Sequence, residues 1–291
     1  MKKILVTGVN SYIGNSFMEY MRNFPKEYTV KGISCRGNSW KSEDFSGYDC
    51  LFHVAGIAHA DSGHISEERA KQYYAVNTDL TAAIAEKAKA EGIRQFIFMS
   101  SAIVYGEASG VGKRKVITAD TDPAPSGAYG DSKLQAEKKL LPLADENFRV
   151  VILRPPMIYG KNSKGNYPAL SKLVDKLPVF PVADNQRSML YVGNLVEFVR
   201  LMIRNEESGI FWPQNAEYTN TTEMVKMIAE AKGRKLLFIR GMGGALKIMS
   251  HFTPLVNKAF GSMAYDMRLS EYKEDYRKYS LAESVLLTEG K

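Results

Sequence analysis

Tyr129 and Lys133 stand four residues apart in Tyr129-Gly130-Asp131-Ser132-Lys133, at the start of a predicted helix over 129–141, so a phenol and an ammonium share one helical face. A phenol can give or take the proton when an alkoxide forms or collapses, which is what hydride transfer to or from a carbinol carbon demands. A nearby ammonium favours the phenolate and is expected to draw its pKa from roughly 10 towards neutrality. The same spacing also occurs in surface tyrosines beside solvated lysines, so the pair gains its meaning from its company. Ser101, in Phe98-Met99-Ser100-Ser101-Ala102-Ile103-Val104-Tyr105-Gly106, supplies a hydroxyl that could hold the substrate oxygen. Ser100 reads as structural. His53 lies inside an apolar run and reads as a satisfied core histidine rather than a base.

These groups need a scaffold, and the chain opens with one. Residues 3–7 form a short apolar run that ends at Gly8, and helix-like spacing begins near Tyr12 and runs through Phe17 to Met21. In this strand–turn–helix, Gly8-Val9-Asn10-Ser11-Tyr12-Ile13-Gly14 can turn backbone amides and a helix N-terminus towards a pyrophosphate, Gly8 allowing the turn and Gly14 the close approach of helix and strand. Strands are expected over 29–35, 50–55, 95–100 and 150–154, with helices over 67–91 and 129–141. That alternation predicts an α/β fold, a doubly wound parallel sheet with helices on both faces. After Pro155 and Pro156 the character changes to short helices, such as 194–204 and 220–231, among Pro- and Tyr-containing loops. A dinucleotide-binding domain is therefore expected over 1–160, completed by about 186–206, and a smaller, mostly helical substrate-binding lobe over 161–185 and 207–291.

Taken together, the turn, the Ser101 segment and the Tyr129/Lys133 pair resemble the extended short-chain dehydrogenase/reductase family, especially its nucleotide-sugar epimerases and reductases, with their Rossmann-type fold. Ser11 stands where that family has its middle glycine. The resemblance makes Ser101, Tyr129 and Lys133 the catalytic set, with Lys133 also holding the nicotinamide ribose. Gly8, Asn10, Ser11, Tyr12, Ile13, Gly14, Val54, Ala55, Gly56, Asn77 and Pro156 join Tyr129 and Lys133 in contacting cofactor. Ala102 and Ile103 occupy the positions where the family's dehydratases place an Asp-Glu pair, so water elimination is not expected. Later segments, Leu153-Arg154-Pro155-Pro156, Lys164-Gly165-Asn166-Tyr167 and Arg187-Ser188, follow the order of the nucleotide-sugar enzymes. Asn166 and Arg187 would then meet the substrate diphosphate, and Ser101, Ala102 and Tyr129 the sugar.

Where NAD-preferring relatives end the second strand in an acid, this chain reads Ile33-Ser34-Cys35-Arg36. A small Ser34 and the planar fork of Arg36 suit a ribose 2′-phosphate, so NADP(H) is favoured over NAD(H). The nearest resemblance is to reductases of UDP-linked 4-keto-6-deoxy-N-acetylhexosamines in surface-polysaccharide synthesis. A 4-epimerase with retained NAD is the alternative, and a catalytically silent dinucleotide-binding redox sensor the rival class. A net charge of +7 and a pI near 9.1 favour an anionic partner such as a UDP-linked sugar, yet no basic run with interleaved aromatics points to nucleic acid. Cys35 and Cys50 are the only cysteines and lack zinc-ligand spacing, so reduced thiols and no metal are expected. No stretch reaches the roughly 20 apolar residues of a membrane span, so the protein is expected to be cytoplasmic, and the resemblance implies a homodimer. The apolar segment 244–260 is expected to pack in the lobe or at a protein interface rather than on a membrane.

Overall fold

The computed structural model describes residues 1–57 and 65–291, which divide into two compact units. The first comprises Met1–Gly106, Asp122–Pro155 and Leu195–Pro213; the second comprises Glu107–Thr121, Pro156–Asn194 and Gln214–Lys291. Four segments fall differently from the sequence expectation. Glu107–Thr121, 156–160 and 186–194 belong to the second unit, and 207–213 stays with the first because it carries a strand of the central sheet.

In the first unit six parallel strands form one sheet: β1 (Lys2–Thr7), β2 (Tyr28–Ile33), β3 (Cys50–His53), β4 (Gln95–Met99), β5 (Arg149–Leu153) and β6 (Gly209–Phe211), in the order β2-β1-β3-β4-β5-β6. Its helices are α1 (Tyr12–Met21), α2 (Glu67–Tyr73), α3 (Leu80–Ala90), α4 (Ala128–Leu140) and most of α5 (Val192–Arg204). Fully buried strands such as Gln95–Met99 are those of a sheet covered on both faces. Register aligns Leu5, Leu51, Phe96 and Val150 in one row, packed with Ile84, Ala85 and Ala88 of α3 and Ala136 and Leu140 of α4. On the other face Phe17 of α1 meets Phe52 edge-on, their centroids 5.0 Å apart.

The doubly wound expectation therefore holds, with one particular. The short connection between β2 and β3 forms only a 3-10 turn, Ser39–Lys41, so β2 is the edge strand. Trp40 and Phe45 of that connection are buried in the same core as Leu5, Ile33 and Leu51. The order of strand addition reverses between β1 and β3, and that switch opens a crevice at their carboxyl ends.

Two buried polar networks fix this scaffold. His53 at the end of β3 is fully buried; Nδ1 is 2.9 Å from Thr7 Oγ1, Nε2 is 3.0 Å from Thr81 Oγ1, and the ring stacks beside Phe96 and Phe98. Burial first, and the Lys133 charge second, depress its pKa to about 3. The core-histidine reading is thus what the structure shows. The second network lies at the ends of β4 and β5. Ser100 Oγ donates to Glu137 Oε1, and Arg154 grips both Glu137 oxygens, with Nη2 2.6 Å from Oε2. Arg154 Nη1 also donates to the Tyr105 hydroxyl at 2.6 Å, which accepts from Trp212 Nε1 at 2.8 Å.

The second unit is largely helical, with Asn166–Lys176, Thr221–Ala231, Gly243–Phe252, Pro254–Phe260 and Leu281–Glu289. Three two-stranded sheets accompany them, among them the pair of Val179–Pro181 and Leu237–Ile239. Its core gathers Tyr159, Tyr167, Phe180, Met224, Leu246 and Phe260, so the segment 244–260 does contribute packing residues to the lobe.

Two outcomes follow. Glu137→Ala strands the Arg154 charge and should cost about 3–5 kcal/mol in urea unfolding, whereas the Glu137→Ala/Arg154→Met double variant should be less destabilised than Glu137→Ala alone. For His53, the unfolded chain titrates near 6.5 and the folded chain near 3. Between these values the unfolded state holds the extra proton, so stability falls as pH drops, by about 1.4 kcal/mol per pH unit from this group. Unfolding curves of wild type and His53→Gln, taken from about pH 6 to 4, should differ in slope by that amount; parallel slopes would refute a neutral buried imidazole.

Candidate active site

The crevice is lined by residues 8–11, 34–37 and 54–57 together with Val76 and Leu80, and holds about 470 Å³. Glycines stand at its base where a side chain does not fit. Gly8 has φ +81°, and a Cβ there would lie 2.9 Å from Ala55 N. At Gly14 a Cβ would lie 2.8 Å from Gly8 O. Ser11 Oγ accepts from Gly14 N at 3.0 Å as the N-cap of α1 and keeps its hydroxyl hydrogen for another acceptor, so this departure from the family's glycine builds a capped helix terminus. The dinucleotide fits such a site: a reversal crevice, a helix N-terminus, and glycines where strand ends crowd together. Asn10, exposed, lies on the lining, whereas Tyr12 and Ile13 begin the helix behind it.

The strand before the rim ends at Ile33, two residues short of the sequence expectation, so Ser34, Cys35 and Arg36 all belong to the crevice lining. Arg36 is exposed, and its backbone N–H donates to Ser34 Oγ at 3.3 Å. Cys35 and Cys50 are free thiols held protonated by burial, Cys35 at about 11. Among the described residues no cluster of His, Cys, Asp and Glu could hold a metal.

Ser101, Tyr129 and Lys133 come together in the first unit. Ser101 follows β4 and caps the 3-10 turn Ala102–Tyr105, with Oγ accepting from Ile103 N at 3.3 Å. Ala102 N donates to Pro155 O at 2.9 Å. Tyr129 opens α4, where Gly130 lets the helix press against the turn; a Cβ there would lie 2.9 Å from Ile103 O. The Tyr129 phenol is hydrogen-bonded with Ser101, and its ring lies 5.6 Å from that of buried Tyr73.

Here the electrostatics correct the sequence reading. Burial pushes the Tyr129 phenol up to about 12, against the lowering hydrogen bond with Ser101. Lys133 is held by a strand end: its Nζ donates to Met99 O at 2.9 Å and lies 4.8 Å from the Phe98 ring centroid. Desolvation lowers Lys133 to about 8, with the Glu137 carboxylate opposing. Spacing places both groups on one face, but which atom an ammonium addresses depends on the strand ends beneath it.

Asn77 occupies an irregular position that periodicity did not reveal. The helix expected over 67–91 is α2 and α3 joined by a π-helical segment, Tyr74–Asp79. Buried Asn77 accepts from Ile57 N at 2.9 Å and donates to Ile57 O at 3.2 Å and to Ser132 Oγ at 3.1 Å. Thr78 Oγ1 donates to Ser132 O at 2.7 Å. The segment thereby links the crevice wall to α4, an arrangement common where π-turns occur at functional sites. Gly56 completes it, since a Cβ there would lie 3.0 Å from Asn77 Oδ1 and 3.4 Å from Lys133 Nζ. Glu137 and Arg154 were also missed. The signal was present: Glu137 continues the 129, 133, 137 row, and Arg154 terminates a buried strand.

Pro156, Asn166 and Arg187 belong to the second unit. Asn166 is exposed at the first position of its helix. Arg187 is half-buried, and its Nη1 donates to Lys258 O at 2.7 Å and Ala259 O at 3.0 Å, closing the end of the Pro254–Phe260 helix. Part of its donor capacity is thus structural.

Comparison with known proteins agrees with this geometry. Residues 4–211 match the NAD dependent epimerase/dehydratase family. The UDP-glucose 4-epimerase of Vibrio cholerae is 31% identical over 252 residues, covering 79% of this chain and 76% of that one. The N-acetyl-alpha-D-glucosaminyl-diphospho-ditrans,octacis-undecaprenol 4-epimerase of Escherichia coli O157:H7 is 25% identical over 254 residues, 80% and 73% of the two chains. Among solved structures, dTDP-4-dehydrorhamnose reductase from Bacillus anthracis str. Ames, in complex with NADP, superposes with a TM-score of 0.73 at 18% identity, covering 99% and 98% of the chains. A capped dinucleotide crevice, a hydroxyl–phenol pair beside it and a match over most of the length converge: the chain belongs to the NAD dependent epimerase/dehydratase family, within the extended short-chain dehydrogenase/reductase group that its motifs resemble.

Proposed function

We propose that the enzyme reduces the 4-keto group of a nucleotide sugar, a UDP-linked 4-keto-6-deoxy-N-acetylhexosamine, with NADP(H) as an exchangeable cofactor. The observation that carries this reading is the Tyr129 phenol, hydrogen-bonded with Ser101 and held in its protonated form by burial. A nicotinamide in the crevice would supply hydride to the carbonyl carbon. The oxygen left with the C=O electron pair then takes the Tyr129 proton, while Ser101 holds that oxygen in place. Lys133, at about 8, keeps a positive charge near neutrality, able to offset the phenolate that remains. With Ala102 and Ile103 after Ser101, no carboxyl pair stands ready for dehydration.

Arg36 and Ser34 on the crevice lining support NADP(H), since a guanidinium suits a 2′-phosphate and a small neighbour leaves room for it. Asn166 at its helix start and the remaining donors of Arg187 are assigned to the substrate diphosphate. The relative named for a lipid-diphosphate-linked N-acetylglucosaminyl group supports work in surface-polysaccharide precursor synthesis. A second reading, 4-epimerisation with retained NAD, is favoured by the likeness to the Vibrio cholerae enzyme.

With NADPH and a UDP-4-keto sugar, absorbance at the nicotinamide band should fall. Tyr129→Phe should slow that loss by at least about 100-fold with cofactor affinity unchanged; an active variant would sink the mechanism. Arg36→Ala should weaken NADPH binding about tenfold or more and leave NADH binding alone. Equal losses for both cofactors would remove Arg36 from the 2′-phosphate role, and stoichiometric NAD on freshly purified protein would select epimerisation.

A further inference from the structure

Within the second unit the strand Leu237–Ile239 turns its alternate residues outward, Leu237 being 65% exposed, and four residues later the helix Gly243–Phe252 begins. That helix is buried along one side only, by Leu246. Ile248 and Phe252, one turn apart on the opposite side, are 65% and 84% exposed, and Met249 flanks them at 50%. Isolated exposed apolar residues are ordinary, but a large aromatic and two long aliphatic side chains on one outward helical face are not.

The charge along this stretch of sequence has one sign. Between Glu230 and Asp266 the chain contains six lysines and arginines and no acidic residue. Lys232 is paired with Asp175, whereas Arg234, Lys235, Arg240 and Lys247 are exposed. Lys247 precedes Ile248, and His251 precedes Phe252, so cationic and ionisable groups border the apolar stripe. A two-fold contact between copies would set this basic border against itself. An anionic lipid surface is the complement: headgroups meet the cations, and the stripe enters the boundary between headgroups and chains.

We propose that the helix Gly243–Phe252, with the neighbouring Leu237–Ile239 strand, is a peripheral membrane-docking surface that seats the enzyme on anionic phospholipid. The helix is far too short to span a bilayer, so the attachment is interfacial and reversible. This inference stands on different residues from the catalytic reading and does not depend on it.

The test is co-sedimentation of the full chain with vesicles of phosphatidylcholine, alone or mixed with phosphatidylglycerol. The mixed vesicles should retain the protein and release it as salt is raised, because the cationic contribution is screened. Ile248→Ser/Phe252→Ser and Arg240→Gln/Lys247→Gln should each lower partitioning by about tenfold. All four positions are exposed, so thermal melting should be unchanged. A wild type that stays in solution with mixed vesicles, or variants that bind as well as wild type, would overturn the proposal. So would an oligomer in size-exclusion chromatography that Ile248→Ser/Phe252→Ser dissociates, since the stripe would then belong to a second copy.

Discussion

The Glu137–Arg154 ion pair is the constraint on which the active-site geometry rests. A carboxylate 1% exposed and a guanidinium 6% exposed are tolerable only because each satisfies the other, with Ser100 and Tyr105 taking up remaining hydrogen-bonding capacity. Glu137 belongs to α4, Arg154 follows β5 and Ser100 follows β4, so neutralising one buried charge sets the helix against two strand ends. Tyr129 and Lys133 stand two turns and one turn earlier on that helix. Their placement against Ser101 and Met99 O is therefore inherited from an electrostatic requirement one layer below the chemistry. The pair also acts on Lys133 itself, because the Glu137 carboxylate opposes the loss of its proton.

A similar economy governs the crevice. Thr7 Oγ1, which faces His53, also accepts from Val54 N at 3.2 Å and Ala55 N at 3.4 Å, the backbone that Gly8 approaches. One hydroxyl thus joins β1 and β3 where the strand order switches. The imidazole that completes the network contributes rigidity by being neutral and doubly bonded. Its chemistry is suppressed by the same burial that makes it a good strut.

Much of this was readable in advance, for specific reasons. Fully buried strands write themselves as apolar runs such as Phe96-Ile97-Phe98-Met99, and the turn at Gly8 declares itself by backbone needs that only glycine meets. Ser101, Tyr129 and Lys133 were legible as a constellation because their chemistry restricts residue type. The direction in which Lys133 points was not, since it depends on Met99 O, 34 residues away. Nor was the π-helical segment around Asn77, because one widened turn shifts the periodicity without leaving a residue-type signature. Arg187 reads as an anion ligand from its side chain alone; its carbonyl partners lie more than 70 positions further on.

The abbreviated connection between β2 and β3 has a cost of a different kind. By ending the sheet at β2 it leaves an edge strand with no strand beyond it, and such a border invites pairing with a foreign strand. The sequence Tyr28–Ile33 guards against that by placing Lys31 there, exposed and tied to Glu43 at 2.9 Å, beside a glycine that weakens further strand growth. A charge held at the border by a residue of the connection itself makes the edge unfit as a template.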